Sequence, residues 1–337
     1  TSEITFVNIT NLSSLSWTSP GPMSRNIVRI NFPVLLELNE FFMENEFSIR
    51  KIYAPLLETI TRFRLENTST IEVIFSELKV IKRGFSVQSN AQLLSLDFPQ
   101  LEKIDLEDDN SPWRFFQIRY NTLLTAIEWN QLTEITSLGT VDYLSLYITE
   151  NDSLERIELN ALEDVKIHFE INYNASLQTI ELQQLVNVHR RFYINNNPAL
   201  TSLSAPQLFS VGDYLFSGTS FEINGNVMLS NLDLSSIRKA YGNFVIVNNS
   251  SLDTSTAFPC ELYVFYNDGF DCNPGAVNVG GNLDNNYCFQ DLSLRDDSDL
   301  TTTPITTITS ISAESGGIIT SNSFVKMQAK GVCWSTS

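Results

Sequence analysis

Residues 151–173 read NDSLERIELNALEDVKIHFEINY, and residues 174–196 read NASLQTIELQQLVNVHRRFYINN. Set one above the other, they agree at apolar position after apolar position. Leu154, Ile157, Leu159, Leu162, Val165, Phe169 and Ile171 lie over Leu177, Ile180, Leu182, Leu185, Val188, Phe192 and Ile194. Asn174 and then Asn197 restart the pattern at the same 23-residue step. Apolar residues alternate over short distances, I-x-L and then F-x-I, with three-residue steps between. That spacing leaves no room for a helix of ordinary length and predicts short strands joined by corners.

The pattern extends in both directions. Asn226 opens a third copy with Leu229, Leu232, Leu234, Ile237, Ala240, Phe244 and Ile246, and Asn249 closes it. Asn67 begins a looser copy with Thr70, Val73, Phe75, Leu78, Ile81, Phe85 and Val87, followed by Asn90. Two degenerate units precede it, around Ile27, Ile30, Phe32, Leu35 and Leu38 and around Ile49, Ile52, Ala54, Leu57 and Ile60. At least eight coils are expected. One such coil cannot enclose its own apolar side chains, whereas stacked coils make one continuous interior. Asn67, Asn90, Asn121, Asn151, Asn174, Asn197, Asn226 and Asn249 read as a structural ladder. Asn tolerates left-handed backbone angles at a corner, and its amide bonds to backbone groups left unpaired there.

The segment Asn197-Pro198-Ala199-Leu200-Thr201-Ser202-Leu203, followed by Ala205-Pro206-Gln207-Leu208-Phe209-Ser210-Val211-Gly212, resembles the receptor L-domain family, a relative of the leucine-rich repeats. The resemblance spans roughly Ile27 to Ser251. It implies an all-β fold, a right-handed parallel β-solenoid like the ligand-binding lobes of insulin and epidermal growth factor receptors and of many microbial surface proteins. The residue counts depart from ordinary leucine-rich repeats, and the second half of each coil has no helical stretch. Solenoid spacing reports packing and does not identify a ligand.

A solenoid must cover its terminal coils. Ile4 to Trp17, polar but carrying Phe6, Leu12, Leu15 and Trp17, is expected to cap the first. Cys260, Cys272 and Cys288 follow the last coil, and residues 1–290 are taken as the solenoid with its caps. The Cys spacing, with no nearby His, does not suit zinc, and a disulfide in a secreted cap is the preferred reading. Three pairings are open; Cys272 with Cys288 is favoured because an Asn/Gly-rich loop separates them. Residues 291–304 read as an acidic, Thr-rich linker. Residues 305–337 read as strands around a Gly316-Gly317 turn, and the ending Ala329-Lys330-Gly331-Val332-Cys333-Trp334 resembles fibronectin-III-like modules of Bacteroidetes-type surface proteins. A whole sandwich needs about 100 residues. The expectation is therefore a module fragment, with further domains after residue 337.

Composition narrows the functions. The 337 residues hold 21 Lys plus Arg against 39 Asp plus Glu, a net charge of -18, which argues against nucleic acid and anionic membrane partners. No stretch is long and apolar enough for direct membrane insertion, and Thr1 to Thr10 carry no intact signal-peptide pattern; the absent initiator Met points to a trimmed chain. The two His, His168 and His189, sit at unequal repeat offsets and are both expected to face outward at corners. Without a nucleophile elbow or phosphate loop, no catalytic residue and no cofactor are expected.

Two surface features remain. The residue within I-x-L reads Asp97, Glu128, Glu158, Glu181, Ser204 and Asp233 down the stack. With coils about 4.8 Å apart, such a carboxylate column either holds calcium or, in the preferred reading, is screened by Arg156, Lys51 and solvent. The second feature is length. The steps Asn90–Asn121, Asn121–Asn151 and Asn197–Asn226 are 31, 30 and 29 residues, and all three place the excess between the V-like and F-x-I positions. These inserts carry Trp113 and Arg114, then Tyr143, then Tyr214 and Phe216. Aromatics beside an Arg suit sugar stacking or a protein hot spot, and they equally suit folding back over the flank. The leading expectation is an extracellular or bacterial cell-surface binding or adhesion module, non-enzymatic, that recognises a protein or glycan. A structural spacer is the alternative, and a polysaccharide-active β-helix enzyme comes third.

Overall fold

The computed structural model describes residues 2–18, 27–106, 116–137, 145–213, 218–257, 262–267, 272–274, 277–283, 300–306 and 314–319. The chain divides into two compact units, Thr1–Gln290 and Asp291–Ser337. Among the described residues the first unit is all-β apart from a single 3-10 turn, Thr254–Thr256. Its strands pair in parallel except at Tyr263–Asn267 with Cys272–Pro274. The arrangement is repeat-like and compatible with a β-solenoid.

Register shows how the apolar pattern works. Ile127, Ile157, Ile180, Leu203 and Leu232 align across consecutive short strands. Phe169, Phe192, Phe221 and Phe244 align likewise on another face. Both rows are buried, and they belong to one core cluster running from Ile30 to Val264. Stacked Phe rings build part of that core: Phe41, Phe63, Phe85 and Phe116 at 5.0, 5.3 and 4.8 Å, then Phe169, Phe192, Phe221 and Phe244 at 5.4, 5.4 and 4.4 Å. Leu146 interrupts the column, and in the same repeat the neighbouring row carries its largest side chain: Trp129, fully buried, packs edge-on against Phe116 of the preceding repeat at 5.8 Å. Offset and edge-on pairs of this kind add about 0.5–1.5 kcal/mol each beyond the area they bury.

The Asn ladder is continuous from Asn90 to Asn249 and runs one step further, to Asn282. Each Asn donates its backbone N–H to the next Asn Oδ1, and each Nδ2 donates to a carbonyl of the preceding repeat, as Asn174 does to Ile148 at 3.1 Å. Asn67 does not belong to it. Asn67 is exposed, and the buried Thr68 takes the ladder position, its N–H donating to Asn90 Oδ1 at 3.0 Å. The expected left-handed angle also moves by one residue. It belongs to the residue before each ladder position: Asn67, Ser89, Tyr120, Glu150, Tyr173, Asn196, Gly225, Asn248 and Gly281 all have φ between 49° and 70°, and Asn45 repeats the angle before the buried Glu46. The chain turns at that residue, which frees the next side chain to point inward and bond.

The N-terminal segment differs from a polar lid. Ser2–Thr5 pairs with Ile27–Asn31, Asn11–Leu12 with Glu37–Leu38, and Leu15–Thr18 with Phe41–Glu44, so it stacks as a further repeat. Phe6 lies on Phe32 at 4.8 Å. At the other end Val277–Gly280 pairs with Phe244–Val247 and carries the ladder to Asn282. Cys272 begins the strand Cys272–Pro274; Cys260, Cys288 and Cys333 lie outside the described residues. In the second unit, Leu300–Thr306 pairs antiparallel with Glu314–Ile319. The first of these strands begins inside the segment expected to be a linker. Gly316 and Gly317 do not form a turn; they pair with Thr303 and Thr302 within the strands.

Candidate binding site

One corner of the winding differs between repeats. Glu37–Glu44, Thr59–Glu66 and Val80–Gln88 each pass through it as a single strand. From there the path divides: Val80–Gln88 pairs with both Lys103–Leu106 and Phe116–Arg119. The segments between such split strands, 107–115, 138–144 and 214–217, contain Trp113, Arg114, Tyr143, Tyr214 and Phe216, all outside the described residues. Their flanks are described. Leu106 pairs with Ser137 and Phe116 with Leu146, so the first two inserts leave from adjacent repeats. The third leaves from the same corner three strand spacings on, through Ile135, Val165, Val188 and Val211, about 14 Å at 4.8 Å per strand.

In the unsplit repeats this corner holds an open cleft of about 400 Å³, lined by Ser13, Asn39, Glu40, Thr61, Arg62, Lys82 and Arg83. A bulge shapes it. Ile60 pairs with Ile81 but Arg62 pairs with Gly84, so the later strand carries one extra residue. Ile81 and Phe85 are both buried, and regular alternation between them would turn Arg83 inward. Its left-handed φ of 60° instead lets Lys82 and Arg83 line the cleft together. Arg62 holds Glu40 at 2.7 Å and half-fixes the floor. Among the described lining residues three cations thus meet one carboxylate, in a chain whose net charge is -18.

The outward residues of the F-x-I strands continue from this corner as the row Gln117, Tyr147, Glu170, Tyr193 and Glu222. Burial pushes the Tyr147 and Tyr193 phenols and the Glu170 carboxyl up from their ordinary values. Arg191 lies over the Tyr193 ring at 5.5 Å, and Tyr193 donates its hydroxyl to the Thr219 carbonyl at 2.8 Å. Apolar periodicity marks only the buried members of F-x-I; the row is carried by the middle letter of each aligned copy.

The acidic column is only partly assembled. Glu128, Glu158, Glu181, Ser204 and Asp233 are in register, but Asp97 lies in a separate five-stranded sheet, paired with Ile74. Arg156 sits between Glu128 and Glu158 and binds both. Lys51 pairs with Glu72 instead, outside the column. No group of three or more potential metal ligands comes together among the described residues. The two His part ways. His189 is half-buried and lies 2.9 Å from Asp164. His168 is not outward but buried, at 4% exposure, and its Nδ1 accepts the Arg191 backbone N–H at 3.2 Å. No helix among the described residues is long and apolar enough to cross a membrane.

No family model, curated protein or solved structure matches this chain.

Proposed function

We propose that this chain is a non-enzymatic binding or adhesion module of an extracellular or bacterial cell-surface protein, recognising a protein or glycan at the insert-bearing corner. Its finer architecture in this reading is a right-handed solenoid of receptor L-domain type with about eight coils. Residues 305–337 begin a fibronectin-III-like module, and Cys272 pairs with Cys288. The observation that carries the reading is that the three extra segments and the cationic cleft share one corner, where repeat proteins place their binding surfaces. A non-catalytic role is supported by the pairing of the outward acids: Arg156 joins Glu128 to Glu158. The test is a glycan-array and pull-down screen with the wild type and Trp113→Ala. A reproducible ligand weakened by the substitution supports the module. Absence of any ligand turns the reading to a spacer, and turnover of a polysaccharide turns it to an enzyme.

A further inference from the structure

We infer that the cleft at Arg62, Lys82 and Arg83 is an anion site that takes a carboxylate-bearing sugar, such as a uronic or nonulosonic acid unit. The inference rests on the binding-module reading and names its ligand class. Three features of the lining carry it. First, Arg62, Lys82 and Arg83 converge from two neighbouring repeats while Glu40 is the only acid among the described lining residues. A guanidinium presents a planar fork that matches a carboxylate, and an ammonium adds a point charge. Second, Ser13, Asn39 and Thr61 supply hydroxyl and amide groups, and Glu40 a further acceptor, with no apolar side chain among the described lining residues. That composition suits a ligand dense in hydroxyls and is wrong for an apolar peptide, which would need an aromatic or aliphatic anchor. Third, the volume, about 400 Å³, is enough to seat one or two sugar rings.

The bulge is the device that creates the site. Arg83 occupies a left-handed conformation that an ordinary strand residue avoids, and its consequence is to add a second cation beside Lys82. The global charge of -18 narrows the ligand further, because it repels long polyanions and leaves attraction only at close range, to an isolated acidic unit.

The experiment is calorimetric titration of the whole chain with digalacturonic acid and with sialyllactose, against galactobiose and lactose as neutral counterparts. Lys82→Gln and Arg83→Gly accompany the wild type; glycine accepts the left-handed angle, so the second variant removes the cation without straining the bulge. The inference expects at least one acidic sugar to bind about tenfold or more tightly than its neutral counterpart. Each variant should weaken it about fivefold with an unchanged melting temperature, and added salt should weaken it further. The two acidic probes separate a uronate from a nonulosonate source. Equal binding of acidic and neutral sugars, no binding of either acid at millimolar concentration, or acid binding insensitive to both variants overturns it. If the acids fail while another glycan or a protein binds and is weakened by Trp113→Ala, the module reading stands and only the cleft assignment falls.

Discussion

Asn151 donates both its backbone N–H and its side-chain Nδ2 to one oxygen, Oδ1 of Asn174, at 3.1 and 3.3 Å. Asn174 in turn donates Nδ2 to the Ile148 carbonyl at 3.1 Å. One buried amide therefore satisfies groups on two neighbouring repeats, and removing it strands both. Asn174→Ala should cost about 2–4 kcal/mol, since each orphaned buried group costs about 1–3. Asn130→Ala, which removes only an exposed acceptor for the Asn160 N–H, should cost under about 0.5 kcal/mol. Urea unfolding of the two variants checks the contrast.

The residue before each ladder position carries the strain of the corner. Tyr173 has φ 57° and is largely exposed, so its side chain contributes little to set against that strain. Tyr173→Gly should leave stability unchanged or raise it by up to about 1 kcal/mol, whereas Tyr173→Val should lower it by about 1–2. Gly225→Ala should also destabilise, because its φ of 70° is one that an L side chain rarely adopts. Thermal melts of the three variants rank them.

Gly242 marks a close approach of backbone. A Cβ there would lie 2.2 Å from the Gly218 carbonyl oxygen, while a Cβ on Gly218 meets nothing within 4 Å. Both have φ above 100°, so both substitutions are strained, but Gly242→Ala adds a clash with backbone that cannot move aside. The melting temperature of Gly242→Ala should fall clearly below that of Gly218→Ala.

Glu170 and Asp164 give opposite pH dependences. Burial raises the Glu170 carboxyl, although Arg191 and Ser145 oppose it. An acid whose folded value is raised penalises the folded state once it ionises. Glu170→Gln should therefore raise the melting temperature at pH 7, with the gain vanishing below about pH 4, where the carboxyl is protonated in both states. Burial also pushes Asp164 up, but the hydrogen bond and charge of His189, with Lys166 and Asn187, outweigh it and hold the carboxyl below its ordinary value. Its contribution is present above the unfolded value and is lost as pH falls through the folded one. Asp164→Asn should thus destabilise at pH 6 and matter progressively less toward pH 2. Melts across this range read both signs.

The stack and its core were legible because apolar position is what a parallel ladder repeats; Leu154 through Ile171 pack as their spacing implies. The corner was less legible. Tyr, Glu, Ser, Asn and Gly all occupy its left-handed position, so no residue type marks it, and the period alone does not distinguish Asn67 from Thr68, which holds the ladder position. Asn282 lies 33 positions after Asn249, outside the period, although the hydrogen bond persists. The cleft was invisible for another reason. It depends on one bulge residue, Arg83, and on Ser13, which joins it only because the N-terminal segment stacks as a repeat.

The central claim is that the insert-bearing corner is a binding surface. The direct measurement is the equilibrium affinity of the strongest ligand from the glycan and protein screens for the wild type and for a variant with Trp113, Tyr143, Tyr214 and Phe216 replaced by Ser. The account predicts a loss of about tenfold or more with the melting temperature of the stacked unit unchanged. An affinity equal to that of the wild type would contradict it.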